Sequence, residues 1–126
     1  MATLIAPFET AEQIADPNIV KCVIDKNGRA LYFSRSPIPY DRQAAGIGAA
    51  GGYWRHLGIY AYRKSFLMKF TKLSPSFLET TEKLEQLRAI ENGYTILTAT
   101  VKKAWDGVDT PEQYEAFVNR YNQKKT

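Results

Sequence analysis

The sequence predicts an α/β fold in which a mixed sheet is flanked by helices. Three observations carry that prediction. A β-branched run, IVKCVI (19–24), is followed by the turn Asp25-Lys26-Asn27-Gly28 and a second apolar run. Two segments, 63–73 and 77–92, carry apolar residues at helical spacing. Thr10 with Gln13, and Thr110-Pro111 with Gln113, are helix-start signals near the two ends of the chain. Strands and helices therefore alternate, and 126 residues allow one domain spanning 1–126.

The elements follow in order. Ala2 to Phe8 is an apolar strand that needs a neighbour to pair with. Thr10 opens a short helix closed by Asp16-Pro17, because the residue before proline disfavours the helical region. Residues 19–24 form a buried strand and Ala30 to Phe33 its returning partner, with Asn27-Gly28 suited to positive φ. SRSPIPYDR (34–42) is a stiff extended loop, since Pro37 and Pro39 remove donors and fix φ. Residues 44–52 hold four of the eight glycines and are expected to be a mobile connection or lid. Tyr53 to Tyr62 returns to strand character. Arg63 to Leu73 is a helix with Phe66, Leu67, Phe70 and Leu73 inward, followed by Pro75. Phe77 to Asn92 is a second helix with Leu84, Leu87 and Ile90 inward and Gly93 as C-cap. Tyr94 to Val101 is a strand. The last helix, begun at Thr110, carries Tyr114, Phe117, Val118 and Tyr121 on one stripe, expected to be core.

Composition narrows the chemistry. One histidine (His56) and one cysteine (Cys22) exclude an intrachain disulfide and a structural zinc site. A lone cysteine fits a reducing compartment, and the expected location is the cytoplasm. No apolar run approaches the ~18 residues of a membrane-spanning helix, so no membrane partner is expected. Seventeen Lys+Arg against thirteen Asp+Glu give a net charge of +4, compatible with an anionic ligand.

Gly46-Ile47-Gly48-Ala49-Ala50-Gly51 matches the G-x-G-x-x-G dinucleotide fingerprint. That motif works only between a strand and a helix, where the pyrophosphate meets a helix N-terminus. Here a proline loop precedes it and a strand follows, so it is read as a loop.

Four stretches, in order and at their spacing, resemble one family: ALYFSRSPIPYDR (30–42), WRHLGIYAYRKSFL (54–67), LEQLRAIENGY (84–94) and GVDTPE (107–112). They are similar to the 3-deoxy-manno-octulosonate (Kdo) cytidylyltransferases, or CMP-Kdo synthetases, of lipopolysaccharide synthesis. The resemblance covers nearly the whole chain but fails over 43–53 and Lys102–Asp106. It implies the C-terminal part of a nucleotide-diphospho-sugar transferase (Rossmann-like) fold. The implied reaction moves a cytidylyl group from CTP to the anomeric hydroxyl of Kdo and releases pyrophosphate, with Mg²⁺ as cofactor.

The resemblance also implies roles. Arg35 contacts the sugar carboxylate, for which an Arg fork is suited, and Arg42 gives weaker electrostatic support. His56 and Tyr60 meet sugar hydroxyls; strand alternation places Trp54, His56, Gly58 and Tyr60 on one face. Glu85 and Gln86 bind Kdo hydroxyls, although Glu85 could equally pair with Arg88 on a solvated helix face. Asp109 is a Mg²⁺ ligand by resemblance and a helix-start residue by local pattern. Asp106 is expected to be loop.

The same family carries a phosphate loop, S-T-R-L-P-G-K, and a Q-G-D-E-P segment with a partner metal ligand. Neither occurs in residues 1–126. The expectation is an acceptor-binding half without its nucleotide-binding half, incompetent alone, and associating as a homodimer or with that missing half through an open sheet edge. Two other readings remain: a non-catalytic dimerisation or sugar-acid-binding module, and a small RNA-binding module using YWRHLGIYAYRK. The last has no recognised RNA-binding pattern behind it, and no nucleic-acid partner is expected.

Overall fold

In the computed structural model, which describes residues 1–104 and 107–125, five strands form one sheet in the order β3-β2-β4-β1-β5. The strands are β1 (Ala2–Pro7), β2 (Lys21–Ile24), β3 (Ala30–Ser34), β4 (Trp54–Ala61) and β5 (Leu97–Thr100). β1 runs antiparallel to β4 and parallel to β5, while β2 is antiparallel to both β3 and β4. The sheet is mixed, as the alternating pattern predicts.

The first hairpin closes through its own polar residues. Asp25 Oδ1 accepts from the backbone N–H groups of Asn27 and Arg29 at 2.8 and 2.9 Å. Gly28, and not Asn27, takes the left-handed conformation, at φ +77°. The Gly28 carbonyl then accepts from the Thr98 N–H and hydroxyl, so the turn is tied to β5.

Helix α1 (Ala11–Ala15) starts where Thr10 Oγ1 accepts from the Gln13 N–H at 3.3 Å. Helix α2 (Lys64–Phe70) buries Phe70 and half-buries Phe66, but Leu67 is exposed, which departs from the expected stripe. Its apolar contacts are aromatic: Phe66 meets Tyr62, Phe70 and Tyr94 at ring separations of 5.1–6.2 Å. Aromatic packing on one side leaves Leu67 nothing to cover it.

The expected helix over 77–92 is two helices, α3 (Phe77–Glu82) and α4 (Leu87–Glu91). Lys83 adopts a left-handed conformation (φ 57°, ψ 46°) and ends α3. The break turns Leu84 and Leu87 into the core with Ile5, Phe33 and Ile96. It also exposes the carbonyls of Glu82 and Lys83, which Arg35 takes. Gly93 caps α4 at φ +78°, as expected.

Residues 43–53 are tied to the preceding loop. Asp41 and Gly46 exchange two backbone hydrogen bonds, at 2.7 and 2.9 Å. A Cβ on Gly48 would collide with the Asp41 carboxylate. Ile47 and Ala50 pack against Phe8, Ile14 and Tyr53, a second apolar cluster. Ala50–Gly52 make a single 3-10 turn and β4, not an α-helix, follows it, so the fingerprint lacks the helix N-terminus it would need.

Helix α5 (Pro111–Gln123) is capped by Thr110 and Gln113 as the sequence predicts. Its stripe is not core: Tyr114, Phe117 and Tyr121 are exposed. No helix among the described residues is long and apolar enough to cross a membrane.

Candidate functional site

A groove of about 820 Å³ opens between β4, the segment before β2, and the start of α5. Its floor is β4, where His56, Gly58 and Tyr60 line it. Thr3 pairs with Tyr60 but Leu4 pairs with Leu57, so β4 carries two extra residues, Gly58 and Ile59. The His56 and Tyr60 rings remain neighbours, with centroids 5.5 Å apart, as alternation predicts. His56 also packs against the edge-on ring of buried Phe33 at 4.8 Å.

One wall is the segment Asp16–Val20, held from below by Lys21. Lys21 is fully buried, and its ammonium donates to the carbonyls of Asp16 and Ile19 at 2.9 and 2.6 Å. Burial pulls its pKa below the usual lysine value, and the Asp16 carboxylate works in the other direction. The opposite side is polar: Gln86 between α3 and α4, Asp109 and Thr110 at the start of α5, and the cationic side chains of Arg55 and Arg120.

Burial sets the protonation of the floor. It holds the His56 pKa down to about 4, so the imidazole is neutral at pH 7. It pushes the Tyr60 hydroxyl above its ordinary value, with the fields of Tyr62 and Glu85 adding to the effect. The groove thus offers neutral donors and acceptors at His56 and Tyr60, with the cations Arg55 and Arg120 and the carboxylates Asp16 and Asp109 around them. That combination suits a polyhydroxylated anion better than an apolar ligand.

Of the residues expected at the site, His56, Tyr60, Gln86 and Asp109 line this one groove. Arg35, Arg42 and Glu85 are not among its lining residues. The Arg35 guanidinium donates to the Glu82, Lys83 and Pro17 carbonyls. Arg42 is exposed in the 34–42 loop. Glu85 is exposed next to Gln86, and its charge acts on Arg88 while the salt bridge of Arg88 goes to Glu79. Arg88 forks onto Glu79, at 2.8 and 2.5 Å, because the break at Lys83 turns Arg88 back across α3.

Asp109 is the one expected metal ligand, and Asp106 lies outside the described residues. The Asp109 carboxylate is exposed, while its N–H is taken by Gln113 Oε1 at 2.7 Å. No group of three or more His, Cys, Asp or Glu side chains able to hold a metal occurs among the described residues. Mg²⁺ takes one or two carboxylates and retains waters, so Asp109 fits as a single ligand and not as a complete site.

Arg120, which lines the groove, and Lys21 and Thr3, which support its wall and floor, escape the sequence reading. Lys21 leaves a signal, since a lysine inside a β-branched buried run needs a partner. Thr3 in an apolar strand is a weaker one. Arg120 leaves none. The interleaved aromatics of YWRHLGIYAYRK are turned inward, with Tyr53 buried and Trp54 and Tyr60 half-buried, so they form no stacking platform.

Residues 1–102 match the family model described as Cytidylyltransferase. The 3-deoxy-manno-octulosonate cytidylyltransferase of Syntrophobacter fumaroxidans is 52% identical over 118 residues, 94% of this chain and 46% of that protein. The protein of the same name from Leptospira biflexa is 49% identical over 124 residues, 98% of this chain and 48% of that one. A solved structure of CMP:2-keto-3-deoxy-manno-octonic acid synthetase complexed with CTP matches at a TM-score of 0.87 and 42% identity. That match covers 98% of this chain and 49% of the other. The chain spans about half the length of the curated relatives it matches. Its mixed five-stranded sheet is that of a nucleotide-sugar transferase fold. The chain belongs to the cytidylyltransferase family, and the relatives it resembles there are named 3-deoxy-manno-octulosonate cytidylyltransferases.

Proposed function

We propose that this chain supplies the acceptor-binding part of a CMP-Kdo-forming cytidylyltransferase. In the reaction the anomeric hydroxyl oxygen of Kdo attacks the α-phosphorus of CTP. The bond from that phosphorus to the bridging oxygen breaks, pyrophosphate leaves, and the hydroxyl proton passes to solvent. The observation that carries the reading is the convergence of His56, Tyr60, Gln86 and Asp109 on one groove.

The groove residues divide the work. His56, Tyr60 and Gln86 hold sugar hydroxyls, and the floor they form keeps one face of the sugar dry. The carboxylate of the sugar acid goes to a cation lining the groove, Arg55 or Arg120, or to Arg35 once its guanidinium leaves the Pro17 and Lys83 carbonyls. Glu85, beside Gln86, takes a further hydroxyl at the groove mouth, and Arg42 adds positive field. Mg²⁺, held in part by Asp109, would neutralise the charge of the triphosphate. On this reading the product feeds lipopolysaccharide synthesis and the compartment is the cytoplasm. Turnover on this reading needs a phosphate-binding half beside this chain, because residues 1–126 contain neither the phosphate loop nor the metal-ligand segment of the family.

Calorimetric titration of the 126-residue chain with Kdo and, separately, with CTP and Mg²⁺ tests the proposal. Kdo binding without tight CTP binding, and no pyrophosphate release from the mixture, is the expected result. Turnover by the chain alone, or no Kdo binding, overturns it. Arg35→Ala, Arg55→Ala and Arg120→Ala then identify the carboxylate partner by which one weakens Kdo most.

A second reading has an observation of its own. Tyr114, Phe117 and Tyr121 are 59, 48 and 53% exposed along one face of α5, which suits a dimerisation module. A monomeric chain in light scattering counts against it.

A further inference from the structure

Thr3 is buried at 3% exposure and pairs with Tyr60, next to the two extra residues of β4. Its Oγ1 lies 2.8 Å from the Ile59 carbonyl oxygen, 3.1 Å from that of Leu57, and 2.8 Å from His56 Nε2. A hydroxyl has one hydrogen to give, and carbonyl oxygens can only accept. That hydrogen therefore goes to the two carbonyls, and a lone pair of Oγ1 faces the imidazole. Were Nε2 unprotonated, Oγ1 would either lose its bond to Ile59 or oppose lone pair to lone pair. Nε2 must carry the hydrogen.

A neutral imidazole has one donor and one acceptor nitrogen, so the other nitrogen follows. Nδ1 carries the lone pair. It has no hydrogen-bond partner among the described residues, and His56 lines the groove. We infer that Thr3 is a positioning residue that fixes His56 as the Nε2–H tautomer, so that His56 presents a single acceptor to a ligand hydroxyl and rejects a carboxylate.

The inference rests on the groove being the sugar-acid site, and it assigns a direction to one contact there. The hydrogen at His56 comes from the ligand. A sugar hydroxyl can supply it, and an ionised carboxylate cannot, so the acid group must lie elsewhere in the groove. The low pKa of His56 supports the assignment, because an imidazolium would donate from both nitrogens.

The chain has one histidine, so its imidazole gives one pair of nitrogen resonances. Two-bond ¹H–¹⁵N correlation spectra of the labelled 126-residue chain, from about pH 8 to about pH 5, read the tautomer directly. Protonated-type Nε2 and unprotonated-type Nδ1 resonances are expected throughout, in wild type and Thr3→Ser. Thr3→Val, which keeps the shape but not the hydroxyl, is expected to show shifts averaged over both tautomers. Averaged or reversed shifts in the wild type overturn the inference, whether or not Thr3→Val folds. Added Kdo should move the Nδ1 resonance, and Thr3→Val should lose about tenfold in Kdo affinity while Thr3→Ser keeps it. A fixed tautomer with no response to Kdo overturns the sugar-site reading and leaves the role of Thr3 in orienting the ring standing.

Discussion

Arg35 and Glu82 hold each other at two points. The Arg35 backbone N–H donates to Glu82 Oε2 at 3.0 Å, and Arg35 Nε donates to the Glu82 carbonyl at 2.8 Å. The other carboxylate oxygen accepts from the Ser34 and Tyr32 hydroxyls at 2.6 and 3.3 Å. One acidic side chain thus fastens the end of β3 to the end of α3.

Removing that side chain should be costly. Glu82→Ala leaves the buried Ser34 hydroxyl and the Arg35 N–H without their acceptor, and a loss of about 2 kcal/mol is expected in urea unfolding. Burial opposes ionisation of Glu82, but bonds from Arg35, Ser34 and Tyr32 outweigh it and hold its pKa below 4.5. Its contribution is therefore present above pH 4.5 and lost as pH falls through the lower, folded value. Glu82→Gln should flatten that acid limb.

His56 acts on a higher window. Its folded pKa of about 4 lies below the ordinary 6.5, so the unfolded chain binds the extra proton first. Stability is full above pH 6.5 and declines toward pH 4, by about 3 kcal/mol in all. His56→Gln should remove most of the slope between those values. Urea midpoints measured across that range check it.

Lys21→Met keeps the length of the buried side chain but withdraws the donor from the Asp16 and Ile19 carbonyls. A loss of about 2 kcal/mol is expected. Kdo affinity should fall with it, because these residues are the groove wall. Unchanged stability would show that water can replace the ammonium.

Lys83 tests the helix break. A non-glycine residue in the left-handed region is strained, so Lys83→Gly should be neutral or stabilising by up to about 1 kcal/mol. Lys83→Val should destabilise, since β-branched residues fit that conformation least. If residues 77–92 were one helix, Gly would instead cost about 1 kcal/mol. Thermal unfolding of the pair decides between the two signs.

What the residues disclosed in advance depended on how local the cause was. The caps at Thr10 and Thr110, the turn at Gly28 and the shared face of His56 and Tyr60 arise from spacing within a few residues, and each is where the pattern puts it. The break at Lys83 is not local. Residues 77–92 satisfy helical spacing throughout, and only the demand of Arg35 for carbonyls and of Leu84 for the core splits them. The same long-range contact explains why Arg35 sits outside the groove although its motif points to a ligand. Gln86 and Glu85 are adjacent in sequence, yet one is 4% exposed and the other faces solvent, a difference the break decides. The exposed aromatics of α5 could not be told from core by periodicity, which reports a face and not what covers it.

The extra pair in β4 has a further consequence. Two residues are inserted, an even number, so strand parity survives: Thr3 and Ile5 oppose Tyr60 and His56, and every side chain keeps its side of the sheet. Deleting Gly58 alone would invert everything on one side of the cut, exchanging the groove-facing side chains for their outward neighbours. Deleting Gly58 and Ile59 together would restore a plain ladder with the same parity. The site is thus built on arithmetic as much as on chemistry: this strand can change length by twos and keep its face, but not by one.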